Sequence, residues 1–336
     1  MTNRNSPLRI EPFLLRPAGK DYIWGGNRLN DDFAKGIQMQ PLAETWECST
    51  HPDGTSTVAS GPFAGQTLTQ VLREHPEFLG GHIRTQDGQL PILIKFIDAK
   101  QDLSVQVHHS DSYAKEHENG QLGKSEMWYV LDALENTSLI YGFNRTIDQE
   151  TLRRSLLDGT VERYLQKVPI EKGDVFYIRA GTVHAIGAGA LIAEIQESSN
   201  LTYRMYDYGR PGKDGKPRPL HIDRALDVAD LTGGISPRQP MRVLRYAPGR
   251  ASELLCRCKY FVVERWIINT ERIRAMAPFA ASDRSFQVLL CVDGCGVAFP
   301  EGGDALPFFR GDCLFVPAGS VPLRLHGRAQ LLNVCC

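Results

Sequence analysis

The stretch Gly173-Asp174-Val175-Phe176-Tyr177-Ile178-Arg179-Ala180-Gly181-Thr182-Val183-His184 decides how the chain is read. A Gly-Asp turn opens an apolar strand, a second glycine turn closes it, and a histidine follows, so the segment reads as a hairpin that carries His184 back over a sheet. Upstream, alternation over Ser104 to His108 places Gln106 and His108 on one strand face. Glu126 then opens the apolar run Met127 to Leu131, which reads as the strand that follows. A single histidine or glutamate on a strand is ordinarily a surface residue or a satisfied core residue. Four such groups in ordered blocks read instead as a metal site, with His108, Glu126 and His184 as ligands and Gln106 as the least certain member. Imidazole plus carboxylate suits Zn²⁺, Fe²⁺, Mn²⁺ or Ni²⁺, and so few protein ligands leave positions open for water or substrate.

At 336 residues, 42% hydrophobic and 23% charged, the chain is long enough for a full core and for two domains. A net charge of −1 gives no basic footprint for nucleic acid and no attraction to an anionic membrane, so an anionic substrate must be held by a local cluster. The polar Met1 to Pro7 segment and the lack of an apolar run near the ~20 residues of a membrane helix argue for a cytoplasmic protein. The eight cysteines form no paired C-x-x-C knuckles; most read as reduced, packed thiols, and a minority, Cys335 and Cys336 in particular, as exposed enough to oxidise.

Along the chain, Glu44 to Ser49, Ser56 to Ala59 and Ile92 to Asp98 read as strands, the last with Lys95 at its middle. Thr67 to Leu79 reads as a helix capped by Thr67, Ser110 to His117 as a helical turn, Thr146 to Gln166 as one or two helices, and Ile222 to Leu231 as another helix. Glu194, Asn200 and Arg204 fall at even spacing and share a face if that segment is extended throughout. Gly209 to Pro219 is a polar loop, read as a solvated connection or as a lid carrying Lys213, Lys216 and Arg218.

Gly311-Asp312-Cys313-Leu314-Phe315-Val316-Pro317-Ala318-Gly319-Ser320-Val321-Pro322 echoes Gly173 to His184, with Pro322 where His184 stands. The repeat implies a second β-barrel or sandwich from about Arg242 to Cys336 that lacks the metal-binding imidazole. Cys291 to Gly296 reads there as a strand ending in a turn. Domain boundaries are expected at 1–235 for a catalytic domain with helical insertions and 236–336 for the second.

The Gly-Asp hairpin with its histidine resembles the second motif of the cupin superfamily, and Gln106-x-His108 with Glu126 resembles the first, with glutamine in place of the usual leading histidine. The blocks Leu90 to Phe96, Leu103 to His108, Gly123 to Tyr129 and Gly181 to Ala185 are more specific: they resemble the type I mannose-6-phosphate isomerases in their shorter bacterial form, from Trp24-Gly25-Gly26 through Arg204. His109 departs from the proline common at that position in the family, and Asn200 stands where related enzymes carry aspartate.

The resemblance implies a mainly β fold of two cupin (jelly-roll) barrels with a few helices, the second degenerate. It implies one zinc per chain, held by His108, Glu126 and His184, with Gln106 as a fourth ligand or a group hydrogen-bonded to one. Lys95, Lys124, Glu194 and Arg204 match charged active-site positions, and Ser104 matches a residue placed near phosphate. Aldose-ketose isomerisation through an enediol-like state needs an acid/base group and stabilisation of a developing oxyanion. Lys124 or Glu194 fits the first role, and Arg204 the second. A cupin isomerase for another sugar phosphate, or a sugar-phosphate-binding protein without turnover, are the alternatives. The expected partner is a small sugar phosphate, on a monomer or homodimer with no nucleic acid and no membrane.

Overall fold

The computed structural model describes residues 9–336 except Arg84, Gln86, Arg238 and Arg274; the polar Met1 to Pro7 segment lies outside the described residues. The protein is mainly β, built on three antiparallel sheets. It divides into two compact units: one comprises Gly19–Trp46 and Ile92–Pro240, the other Met1–Ala18, Glu47–Pro91 and Met241–Cys336. Among the described residues no helix is long and apolar enough to cross a membrane.

The Gly19–Trp46/Ile92–Pro240 unit holds two sheets. Six strands run in the order Val175–Ile178, Glu126–Ala133, Ala190–Glu197, Ile92–Asp98, Glu44–Cys48 and Ala18–Lys20. Five run in the order Tyr203–Tyr206, Val105–Val107, His184–Ile186, Ser138–Phe143 and Leu165–Pro169. All seven residues of Ile92–Asp98 and all eight of Ala190–Glu197 are buried, as expected for central strands covered on both faces. Trp24, Ile97, Trp128, Phe176 and Ile192 pack in one apolar cluster, and Val105, Val107, Phe143, Leu152 and Tyr203 in another. At about 25 cal/mol per Å² of apolar surface, such burial is the main source of stability.

In the other unit, the sheet includes a run ordered Cys313–Val316, Gln287–Pro300, Leu323–Cys335, Val262–Asn269, Arg250–Arg257 and Arg245–Ala247. This matches the six-stranded sheet strand for strand, in both spatial and chain order. The sequence repeat sits at the same place in each: Val175–Ile178 pairs with Tyr129–Glu126, and Cys313–Val316 pairs with Leu290–Gln287. Both repeats turn through glycines in the left-handed region, Gly173 and Gly181 in one (φ 94° and 91°) and Gly311 and Gly319 in the other (φ 100° and 68°).

Three expectations change in detail. The helix expected over Thr67 to Leu79 breaks at His75 because Pro76 cannot continue it, leaving Leu68–Glu74 and a 3₁₀ turn Pro76–Leu79. The Thr146 to Gln166 helix is Gln149–Leu157, started by the Asp148 side chain accepting from the Thr151 amide at 2.6 Å and followed by a 3₁₀ turn and a strand. Cys291 to Gly296 does not end a strand: the Gln287–Pro300 strand runs through it, absorbing an extra residue at a bulge between Cys291 and Asp293.

The Leu68–Glu74 helix starts with a reciprocal cap, the Thr67 hydroxyl accepting from the Gln70 amide while the Gln70 side chain accepts from the Thr67 amide. Thr67→Ala is expected to destabilise the protein by about 1 kcal/mol in denaturant unfolding.

Candidate metal centre and its cavity

Register brings the distant sequence blocks together. His184 pairs with Gln106 and with Tyr141 in the five-stranded sheet, and Arg204 pairs with Gln106 from the other side. In the six-stranded sheet Gln196 pairs with Glu126, Glu194 with Trp128, and Glu194 also with Lys95. His108 follows the Val105–Val107 strand directly.

His108, Glu126 and His184 form a cluster whose ligating atoms lie within 4.8 Å of one another, each residue at most 1% exposed. His108 Nε2 is 3.1 Å from Glu126 Oε1, and His184 Nε2 is 3.8 Å from Glu126 Oε2. Two ligands about 2.0–2.1 Å from a tetrahedral ion stand roughly 3.4 Å apart, so these separations bracket what a shared cation requires. His184 Nδ1 donates to the Thr182 carbonyl at 2.8 Å, which turns the Nε2 lone pair towards the cluster. Both ring nitrogens of His108 are buried without a hydrogen-bond partner, the Glu126 contact being close but misaligned. A buried lone pair facing a carboxylate is costly unless a cation lies between them. The Gln106 amide is 3.3 Å from His184 Nε2; turned to present its oxygen, it offers a fourth donor.

The protonation states suit a cation. Burial, with the Lys124 charge adding to it, holds His108 well below the ordinary histidine range, and burial likewise lowers His184. Burial would raise the Glu126 carboxyl, but the Lys124 charge beside it overcomes this, and Glu126 is held well below the carboxylate range. The donors are thus two neutral imidazoles and one carboxylate.

Beside the cluster lies a cavity of about 360 Å³ lined by Lys95, Ser104, Gln106, Lys124, Glu194, Asn200 and Arg204, together with Glu44, Tyr22, Trp24 and Arg218. Lys124 Nζ is 2.9 Å from Glu126 Oε1, and Lys95 Nζ is 3.1 Å from Glu194 Oε1 and 3.7 Å from Glu44 Oε2. Burial opposes the Lys95 charge, but Glu194 and Glu44 more than offset it and raise its pKa. Burial and the nearby Glu126 raise Glu194. The Trp128 indole N–H bridges Glu126 Oε2 at 3.1 Å and Glu194 Oε2 at 2.9 Å, tying the His-Glu-His cluster to the cavity wall. Arg204 donates to Ser104 Oγ at 3.2 Å and to the Pro219 carbonyl at 3.0 Å.

Every candidate site residue therefore lies in the cluster or lines this cavity. The route for Asn200 and Arg204 differs from expectation: the chain leaves the six-stranded sheet after Glu197 and re-enters extended structure at Tyr203 in the other sheet, so two strands and a connection supply the three groups. His109 stands outside the cluster, its ring packed against Tyr203 at 5.2 Å and Tyr113 at 6.2 Å. Of the three cations of the polar loop, Arg218 lines the cavity and forks onto Asp207 at 2.7 Å, while Lys213 pairs with Asp21. Glu44 was missed. Its signal is the Glu44-Thr45-Trp46 pattern, which copies Glu126-Met127-Trp128: in both, the indole donates to the carboxylate two residues earlier.

A mainly β fold with a buried His-Glu-His cluster beneath a cation-lined cavity defines a metal-site protein of the cupin type. The phosphomannose isomerase type I catalytic-domain family matches residues 13–132. Mannose-6-phosphate isomerase ManA of Bacillus subtilis is 35% identical over 326 residues, covering 97% of this chain and 99% of that one. The crystal structure of the mannose 6-phosphate isomerase from Bacillus subtilis superposes with a TM-score of 0.88 at 34% identity over 96% of this chain and 99% of the other. A mannose 6-phosphate isomerase solved with zinc and yttrium shares the fold, at a TM-score of 0.74 and 18% identity over 96% of this chain and 99% of that one. The chain belongs to the type I phosphomannose isomerases.

Glu197 supports the Lys124–Glu126 segment by accepting from the Ser125 amide at 2.7 Å, and its carboxyl hydrogen-bonds Asp111. Burial first, then the Asp111 charge, pushes Glu197 from 4.5 up to about 8. A raised folded pKa contributes stability that is full below pH 4.5 and lost as pH rises through 8. Glu197→Gln keeps an acceptor for Ser125 and a donor for Asp111 but does not titrate. Its stability advantage over the parent is expected to grow with pH across that window, reaching about 1–3 kcal/mol in denaturant melts at pH 8.5. A difference independent of pH would contradict the raised Glu197 carboxyl.

Proposed function

We propose that the chain interconverts mannose 6-phosphate and fructose 6-phosphate through an enediol(ate), with one zinc per chain held by His108, Glu126, His184 and, through its amide oxygen, Gln106. The observation that carries this reading is the buried cluster of neutral imidazoles and one carboxylate, next to a cavity holding Lys95, Lys124 and Arg204. The metal supplies Lewis acidity at the carbonyl and hydroxyl oxygens of the opened sugar.

Isomerisation removes the proton from C2 of the aldose and returns a proton to C1 as the carbonyl moves from C1 to C2. Glu194 and Lys124 both line the cavity, and one of them is the group that moves this proton. Burial first, then the nearby Glu126, raises Glu194 above the ordinary carboxylate range, the direction that strengthens it as a base. Lys124 is fixed 2.9 Å from a metal ligand, where its ammonium faces any oxyanion developing at the centre. Arg204, fixed by Ser104 and the Pro219 carbonyl, stabilises the enediolate or phosphate charge, and Lys95 and Ser104 complete substrate binding. Asn200 contributes hydrogen bonds and not base catalysis, because an amide does not accept a proton near pH 7. The duplicated strand order supports reading a catalytic cupin unit around the Ile92–Asp98, Glu126–Ala133 and Ala190–Glu197 strands and a second, degenerate one over Met241–Cys336. Eight free cysteines fit the reducing cytoplasm.

The deciding measurement is a coupled assay of mannose 6-phosphate turnover with and without chelator, glucose 6-phosphate being the competing substrate. Chelator-sensitive turnover of the mannose compound is expected; metal binding with no turnover of either sugar would favour a sensor. His184→Ala is expected to lose bound metal and activity in a folded protein, and full activity in that variant would sink the ligand assignment. Arg204→Ala is expected to retain metal while turnover falls roughly 10²–10³-fold. Loss of its metal would contradict the division of roles.

A further inference from the structure

The equivalence of the two six-strand runs assigns each catalytic-sheet residue a counterpart in the other unit. Ile178 pairs with Glu126 and Val316 pairs with Gln287, so Gln287 occupies the place of the Glu126 carboxylate. Trp128 pairs with Glu194 and Leu289 pairs with Asn333, so Asn333 stands for Glu194. Glu194 pairs with Lys95 and Asn333 with Glu264, so Glu264 stands for Lys95; two residues along, Trp266 stands for Ile97. Pro322 stands for His184 in the sequence repeat.

A cavity remains at this place. It measures about 770 Å³, and Gln287, Pro322 and Trp266 all line it, joined by Arg250, Arg324 and Glu301. An amide and a proline in place of carboxylate and imidazole leave no ligand set for a divalent cation. The groups present suit an anion instead. The Arg250 guanidinium lies 3.8 Å from the centre of the Trp266 ring, and Trp266 is held by its indole N–H donating to Glu264 at 3.0 Å. Arg250 Nε and Gln287 Oε1 are buried with no hydrogen-bond partner, one an unused donor and the other an unused acceptor. Gln287 is steadied from its other end by donating to Asn333 at 3.4 Å. Arg324 and Glu301 are exposed, so the cavity carries two guanidinium groups against one carboxylate.

We propose that this cavity is a second, metal-independent binding site for a phosphorylated sugar, at the position equivalent to the catalytic cavity. Phosphate meets the guanidinium forks of Arg250 and Arg324, and the sugar hydroxyls meet the Gln287 acceptor. The cavity size lies within the range for small metabolites. The site is independent of the catalytic reading.

The test is calorimetric titration of the full chain with 6-phosphogluconate, which has no carbonyl to isomerise. Two sites per chain are expected. One should survive Arg204→Ala and chelation, and should weaken at least tenfold in Arg250→Ala and in Arg324→Ala, with mannose 6-phosphate turnover unchanged in the last two. Arg324 is on the rim, so its variant decides the matter if Arg250→Ala does not fold. Inorganic phosphate binding with the same affinity as 6-phosphogluconate would overturn the sugar assignment. A single site that disappears in Arg204→Ala and is unaffected by Arg250→Ala and Arg324→Ala would overturn the proposal altogether.

Discussion

The interaction on which the Gly19–Trp46/Ile92–Pro240 unit depends is the buried charge chain Glu44, Lys95, Glu194, linked through the Trp128 indole to Glu126, Lys124 and the two histidines. Each charge has been taken out of water, and leaving one of them alone in an apolar interior costs about 3–5 kcal/mol. The chain of partners offsets that cost only in one register. Slipping the Ala190–Glu197 strand by one residue against Ile92–Asp98 would send Glu194 to the opposite face and strand Lys95. The same network that positions the proton-transfer candidates therefore also specifies how the sheet is paired.

Stability alone does not explain such a network, since apolar residues of similar volume would serve as well or better. Its value is in setting ionisation. Lys124 holds Glu126 ionised and adds to burial in keeping His108 neutral, while burial and Glu126 raise Glu194. Two carboxylates that share one indole N–H are thus pushed in opposite directions, Glu126 down and Glu194 up. The apolar strands around them make this possible by excluding water, which would otherwise screen the charges.

How much of this was legible in the sequence follows from which signals are local. The Gly173 to His184 hairpin was readable because its turns need glycine in the left-handed region and its strand is continuous and apolar. His108, Glu126 and His184 could be named because each begins, ends or directly follows a strand, where side-chain direction is defined by alternation. Glu44 escaped because a short strand with two acids, Glu44 and Glu47, looks solvent-facing until the sheet buries all five of its residues. The loop cations could not be sorted because neither periodicity nor turn chemistry says that Arg218 reaches the cavity while Lys213 turns to Asp21. Cys291 to Gly296 misled because Gly294, at φ 74°, is a turn signal, yet it pairs with Ala329 in the long strand just beyond the Cys291–Asp293 bulge.

The duplicated strand order shows what the fold keeps and what it leaves free. Register and the Gly-Asp turns recur in both halves, and each half also has an indole-to-carboxylate brace, on non-equivalent strands: Glu126-x-Trp128 in one and Glu264-x-Trp266 in the other. The residues facing the cavity do not: carboxylate becomes amide at Gln287, imidazole becomes proline at Pro322, and the buried lysine becomes Glu264. The amide removes a carboxylate charge, the proline removes a ring-nitrogen donor, and Glu264 reverses the sign of the lysine; Gln287 and Glu264 sit on strands held by the same ladder as their counterparts. Because the ladder and not the charge network supports the backbone there, chemistry is exchangeable at those positions while the sheet stays paired. That separation is why one architecture can hold a metal centre in one unit and a cavity lined by guanidinium groups in the other.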